Sequence, residues 1–409
     1  MNEKVVFNDN LCLMKTNKYK TIQLFLYYTG KYSIKKKVAL NILTTIIGDY
    51  SIKYDTKEKM VKAKDYLYDA DINCNIKLRA NLMTFTVKYS FINPKFLSDV
   101  SIYDYLDFFK ECLNNPYFSE KLLCEFKRNY KDAILRSLDK PSKLASNRVN
   151  QIIACNDSAF KIYDCDDSTV IDEIDLEYIK QVYSEVINSF DLNIYLCGDY
   201  DNTLLEYVGS FKKDNCLYLK NEPIHIGDLG EIIEKKNVSQ STLNVVYKTP
   251  YNRKHKDFYA YMLGNVLLGN VPTSLLFEEV REKLSLCYYI GVTDYKNEGL
   301  VKIVTSINGE NKDEVIKQID IQIKRLIDMD YDFVKIDLAR ALLIDSLKST
   351  PDNLDSYVDY LFYNKLNGVE CSLNEYIDNI NKVTAKEISE VFKNYKHVLT
   401  YMLKGIKDE

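Results

Sequence analysis

A chain of 409 residues, 46% hydrophobic and 28% charged, has ordinary globular composition and the length of roughly two or three domains. Its 7 Pro and 13 Gly argue against long disordered tracts, and a net charge of -4 with acids and bases intermixed leaves no summed field to draw nucleic acid or an anionic membrane. No stretch approaches the roughly 20 apolar residues of a membrane helix, and the opening MNEKVVFNDN lacks the apolar run of a secretion signal. A cytoplasmic protein with no nucleic-acid and no membrane partner is therefore expected.

In chain order, 22–28 reads as a buried strand and 38–47 as an apolar helix ended by Gly48, with Lys35, Lys36 and Lys37 as its solvated start. A polar helix over 56–67 follows. Alternation at Ile72, Cys74, Ile76 and Leu78, then at Met83, Phe85, Val87, Tyr89 and Phe91, predicts a hairpin turning at Ala80-Asn81. Helices are predicted over 102–113, 119–138, 143–155 and 175–190, and a strand over 192–197 closed by Gly198. Ten cysteines, among them Cys165 and Cys216, show no paired spacing and read as small core residues of a reducing compartment.

The second half repeats this order. The strand from Ile22 aligns with the one from Thr242 at an offset of 220, which sets Tyr27 on Tyr247; the helix from Ala39 to Gly48 aligns with Ala260 to Gly269 at 221; and the segment from Ile174 aligns with that from Val383 at 209. This predicts an α+β protein of two tandem homologous domains, each an antiparallel sheet flanked by helices: residues 1–220, a linker at 221–235 and residues 236–409.

The most informative segment runs from Pro272 to Tyr289. Ser274 reads as an N-cap, Leu275, Leu276, Val280 and Leu284 mark one helix face, and a strand begins near Cys287. Arg281 and Tyr288 stand seven positions apart. Read as residues alone, they fit a solvated cation at a helix end and a half-buried aromatic. An Arg at 281 carries some weight, since only 8 of the 55 basic residues are Arg.

This segment resembles the second-domain signature of the pitrilysin/insulinase zinc peptidases, in which a Ser-Leu-Phe helix leads to Arg-Glu-x-Leu-x-x-x-Tyr. The duplicated halves are similar to that family's architecture. The resemblance implies a half-clam in which Arg281 and Tyr288 reach a peptide bound at a zinc site. A guanidinium offers a planar fork of donors, and a tyrosine hydroxyl can donate to the oxyanion formed when water attacks a peptide bond. If Tyr288 faces the substrate, alternation requires Tyr289 to pack behind it.

The family's zinc ligands come from a His-x-x-Glu-His helix and a later glutamate. The corresponding helix here, 38–48, has no His, Glu or Asp; the histidines are His225, His255 and His397, no two at helical spacing; and Glu111, Glu120 and Glu125 read as solvated. The chain is therefore expected to bind no cofactor of its own. It resembles the non-catalytic member of bacterial pairs, its partners being a zinc-bearing paralogous subunit and a peptide substrate. The alternative is a structural or binding protein of the same fold that has lost the chemistry.

Overall fold

The computed structural model describes residues 4–8, 10–163, 167–211, 217–219 and 223–406; Cys165, Cys216 and the first two expected linker positions lie outside them. The chain divides into two compact units, Met1–Ile134 with Asp166–Leu217, and Leu135–Cys165 with Tyr218–Glu409. The change of unit at 217/218 falls beside the expected boundary at 220. Residues 135–165, however, belong to the second unit, so the first is not the continuous stretch 1–220.

In chain order the first half contains β1 (Lys4–Asn8), β2 (Leu11–Lys15), β3 (Thr21–Lys31), α1 (Ile34–Ile46), α2 (Lys57–Tyr66), β4 (Asp71–Arg79) and β5 (Leu82–Ile92). There follow α3 (Ile102–Asn114), α4 (Glu120–Leu138), α5 (Pro141–Asn156), α6 (Leu176–Ser189), β6 (Asp191–Gly198) and α7 (Asn202–Gly209). The predicted helices match α2 to α6 within two residues at either end. Side-chain caps explain the clean starts: Thr56 accepts from the Lys59 amide and Asp175 from that of Tyr178. The hairpin turns where the alternation places it, with Ala80 in the left-handed region at φ 49°.

The first sheet runs β1-β2-β6-β3-β5-β4, antiparallel except for the parallel pair β2 and β6. One face of β3, carrying Ile22, Leu24, Leu26 and Tyr28, packs with Val38, Leu40, Ile42 and Leu43 of α1 and with Phe109 and Cys112 of α3. Of the lysines before that face, Lys37 is buried and Lys35 and Lys36 are only partly solvated. Lys37 is buried against Asp167 at 2.8 Å, Lys36 meets Glu185 at 2.5 Å and Lys35 meets Glu173 at 3.5 Å, because α1 is closed over by acidic residues of later segments.

The second half contains β7 (Glu231–Lys236), β8 (Ser241–Lys248), α8 (Phe258–Asn265), β9 (Cys287–Tyr295), β10 (Leu300–Ile307), α9 (Lys312–Asp328) and α10 (Val334–Ser349). It closes with α11 (Leu354–Leu366), α12 (Leu373–Lys382), α13 (Ala385–Phe392) and β11 (Lys396–Gly405). Its sheet runs β7-β11-β8-β10-β9, again with one parallel pair, β7 and β11. Stripped of β1, the first sheet has this same order, element for element. Residues 231–235, read as linker, form β7 instead, since β11 supplies a partner for their backbone. One face of this sheet packs with α8, α9, α10, α12 and α13; the other is covered by Ala145, Val149 and Ile153 of α5.

The duplication carries one register error. At an offset of 220 Tyr27 falls on Tyr247, yet Tyr27 lies on the face of β3 turned from α1, whereas Tyr247 joins the core beneath α8. A slip of one residue flips every side chain in a strand. The offset of 221 found for the helix sets Ile22, Leu24 and Leu26 on Leu243, Val245 and Tyr247, all core residues.

Gly48 terminates α1 at φ +97°, and a Cβ there would lie 2.5 Å from the Ile72 carbonyl oxygen. Neither the backbone of β4 nor the left-handed turn can yield cheaply. Gly48→Ala is expected to destabilise the first unit by about 2 kcal/mol or more; an unchanged urea midpoint would show the turn to be unstrained.

Candidate substrate-contact site

The chain after α8 does not remain α-helical. It widens to π-helical turns at Val266–Asn270, crosses the short bend 271–273, and re-enters a helix that is π-helical over Phe277–Lys283. Leu275, Leu276 and Val280 are buried as the apolar pattern requires. Leu284 is exposed, because its amide bonds back to the Glu279 carbonyl, five residues earlier, and the wider turn carries it off the core face. Ser274 does not cap through its side chain: its carbonyl accepts from the Glu278 amide, while its buried hydroxyl has no partner. Lys335 of α10 fastens this end instead, donating to Glu278 at 2.5 Å and to the Thr273 carbonyl at 3.4 Å.

Arg281 projects from the last π turn, half-exposed, its guanidinium carbon 4.5 Å from the centre of the Phe277 ring and its Nε 3.7 Å from Glu282. The ring holds the planar fork flat while leaving its edge donors in water. The chain then leaves the helix through Ser285 at φ 52° and enters β9.

β9 begins with a bulge. Ile307 of β10 pairs with Cys287 and Ser306 with Tyr289, so Tyr288 has no opposite residue. An extra residue in one strand suspends the period-two alternation. Tyr288 is 68% exposed and Tyr289 57% exposed, so Tyr289 does not pack behind its neighbour as strict alternation demanded. The Tyr289 ring leans over Gly291, where a Cβ would come within 2.4 Å of its hydroxyl oxygen. The bulge is fixed from both sides: Thr305 Oγ1 donates to the Tyr289 carbonyl at 2.7 Å, and the Val292 amide donates to Asn270 Oδ1 at 3.0 Å. Burial pushes the Cys287 thiol pKa up, while the Thr305 hydroxyl and the Arg281 charge pull it back. The guanidinium thus lies within electrostatic reach of the start of β9.

The structure therefore leaves both sequence-predicted residues, Arg281 and Tyr288, open to solvent on consecutive elements of one unit, with Phe277 and Tyr289 beside them. Phe277 was readable from its i, i+4 spacing to Arg281; Tyr289 was not, because alternation carries no sign of a bulge.

A catalytic zinc does not fit α1. The buried positions of α1 are Lys37, paired with Asp167, and the hydrocarbon side chains of Val38, Ala39, Leu40, Ile42, Leu43 and Ile46, and among the described residues no group of three or more His, Cys, Asp or Glu could hold a metal. The histidines are engaged singly: the His225 amide with Asp157, the His255 ring with the Asp257 amide, and the His397 ring with Asp228 and Thr400. Glu111 is not simply solvated, since it accepts from the Lys53 amide and from Asn115.

The sequence model described as the peptidase M16 inactive domain matches residues 173–343, a span running from α6 into α10 and including the Arg281 segment. Over that span the chain is similar to the inactive domain of M16 peptidases. The probable inactive metalloprotease YmfF of Bacillus subtilis (strain 168) is 22% identical to it over 405 residues, covering 96% of this chain and 95% of that protein. The M16 fold extends over the full length. A conserved protein from Enterococcus faecalis V583 superposes with a TM-score of 0.89 at 22% identity, over 97% of this chain and 96% of its own. A peptidase M16 inactive domain from Pseudomonas fluorescens superposes at 0.78 and 15% identity, over 99% and 98%.

Two measurements check this site. Asn270→Ala leaves the buried side of the Val292 amide without its acceptor and is expected to cost about 1–2 kcal/mol in urea unfolding. Equilibrium dialysis of the isolated chain against zinc is expected to leave well below one ion per chain, and stoichiometric retention would overturn the reading of α1.

Proposed function

We propose that this chain is the non-catalytic subunit of a heterodimeric, zinc-dependent peptidase of the cytoplasm. Its partner, a zinc-bearing paralogous subunit, would supply the metal and general base. Arg281 and Tyr288 would contribute substrate binding and oxyanion stabilisation. The single observation that carries this reading is that both side chains stand exposed, Arg281 held by Phe277 and Tyr288 by the bulge, in a chain whose α1 has no His, Glu or Asp.

The chemistry follows from the groups. The guanidinium fork matches a peptide carbonyl or a carboxylate terminus, and the Phe277 platform limits the freedom lost when it binds. The Tyr288 hydroxyl is a neutral donor that can strengthen its bond as charge grows on the carbonyl oxygen. β9 is also the edge of its sheet, so its outer backbone ahead of Val292, whose amide is taken by Asn270, would accept an extended peptide as an added strand, with the two tyrosines flanking it. No helix among the described residues is long and apolar enough to cross a membrane, consistent with a substrate met in solution.

The test is to mix the chain with a paralogue that carries His-x-x-Glu-His and follow cleavage of a quenched peptide library. Turnover is expected from the mixture and from neither chain alone. Arg281→Ala is expected mainly to raise KM, while Tyr288→Phe lowers kcat by about 10- to 100-fold with the complex intact by sedimentation. Unchanged turnover in both variants would sink the assisting role. A complex that forms but never cleaves would favour a structural or binding protein of this fold.

A further inference from the structure

α10 packs on the second core through Ile336, Ala339 and Ile344, yet its opposite side is not polar. Phe333, Val334, Leu338 and Leu342 are 53%, 57%, 43% and 44% exposed. The last three recur every fourth residue and form one continuous ridge along the helix. Scattered apolar residues on a surface are ordinary, but a ridge of three large ones over more than two turns, with Phe333 just before it, has the pattern of a helix face awaiting another element.

The surroundings of the ridge are acidic. Asp330, Asp332, Asp337 and Asp345 stand along or just before it, and the nearby cations are already committed except Lys348 in the last turn of the helix. Arg325 bonds the Asp330 carbonyl and Gln322, Lys335 is paired with Glu278, and Arg340 binds Asp337 and the Val383 carbonyl. The exposed carboxylates of Asp330 and Asp345 hold no cation among the described residues. Two copies of this face brought together would set aspartates against aspartates, which disfavours self-association.

We propose that the solvent face of α10 is a docking surface for a helix of a different polypeptide, one carrying an apolar row flanked by Lys or Arg. The apolar row would lie against Val334, Leu338 and Leu342, and the flanking cations would meet the unpaired aspartates. Such docking does not require the zinc-bearing partner, so its failure would leave the roles of Arg281 and Tyr288 untouched, and the reverse.

The probe is a fluorescent synthetic helix with a leucine row flanked by lysines, compared with the same peptide flanked by glutamates. Anisotropy with the full chain is expected to show the lysine peptide binding at least ~10-fold more tightly. The double variant Leu338→Asp with Leu342→Asp, solvent-facing and so compatible with folding, is expected to lose at least ~10-fold in affinity although it adds negative charge. Asp330→Lys with Asp345→Lys is expected to reverse the preference between the two peptides. Equal or tighter binding by the Leu338/Leu342 variant would mean charge attraction alone and would overturn the proposal, as would equal binding of both peptides. So would a dimer of the chain itself that dissociates in that variant, since a second copy would then cover the face.

Discussion

One unpaired residue at the start of β9 governs what the candidate site can present. In a regular strand, adjacent side chains point to opposite faces, so one tyrosine of any pair must enter the sheet's covered side. The bulge at Tyr288 removes that requirement, and hydrogen bonds from Thr305 and to Asn270 hold it in place from the neighbouring strand and the preceding π turn. Arg281 depends on the same local irregularity, because the π turn that positions it over Phe277 also delivers the chain to the bulge. Regular helix followed by regular strand would have offered solvent one polar group fewer.

The first unit shows the opposite tendency. α1, the helix that the sequence resemblance sets against the family's zinc helix, is among the best packed elements, with Val38, Ala39 and Leu40 fully buried. Hydrocarbon at such positions stabilises the core directly, whereas a ligand set partly held in apolar surroundings costs stability unless the metal is present. The π turns and the bulge that expose Arg281 and Tyr288 lie in the second unit.

The sequence showed what depends on periodicity and on absence. Helix boundaries followed caps such as Thr56 and Asp175, the hairpin followed its alternation, and the duplicated order of strands emerged from simple offsets. The lack of His, Glu and Asp in α1 needed no coordinates at all. What escaped was set by partners distant in sequence. The pairing of Lys37 with Asp167 spans 130 positions, the parallel pairing that makes residues 231–236 a strand comes from β11, and the bulge exists only relative to β10. The register slip between Tyr27 and Tyr247 has the same origin, since identity of residues and identity of faces are separate questions until the core is known.

The transfer of residues 135–165 to the second unit makes the two halves covalently interleaved. α5 is the lid over one side of the β7-to-β9 sheet, so severing the polypeptide near residue 220 would strand that lid on the wrong fragment. The upstream piece would carry Ala145, Val149 and Ile153 with nothing beneath them, and the downstream piece would bare Val246, Leu399 and Tyr401. An ancestor assembled by joining two copies of one module could not afterwards be split back into its parents.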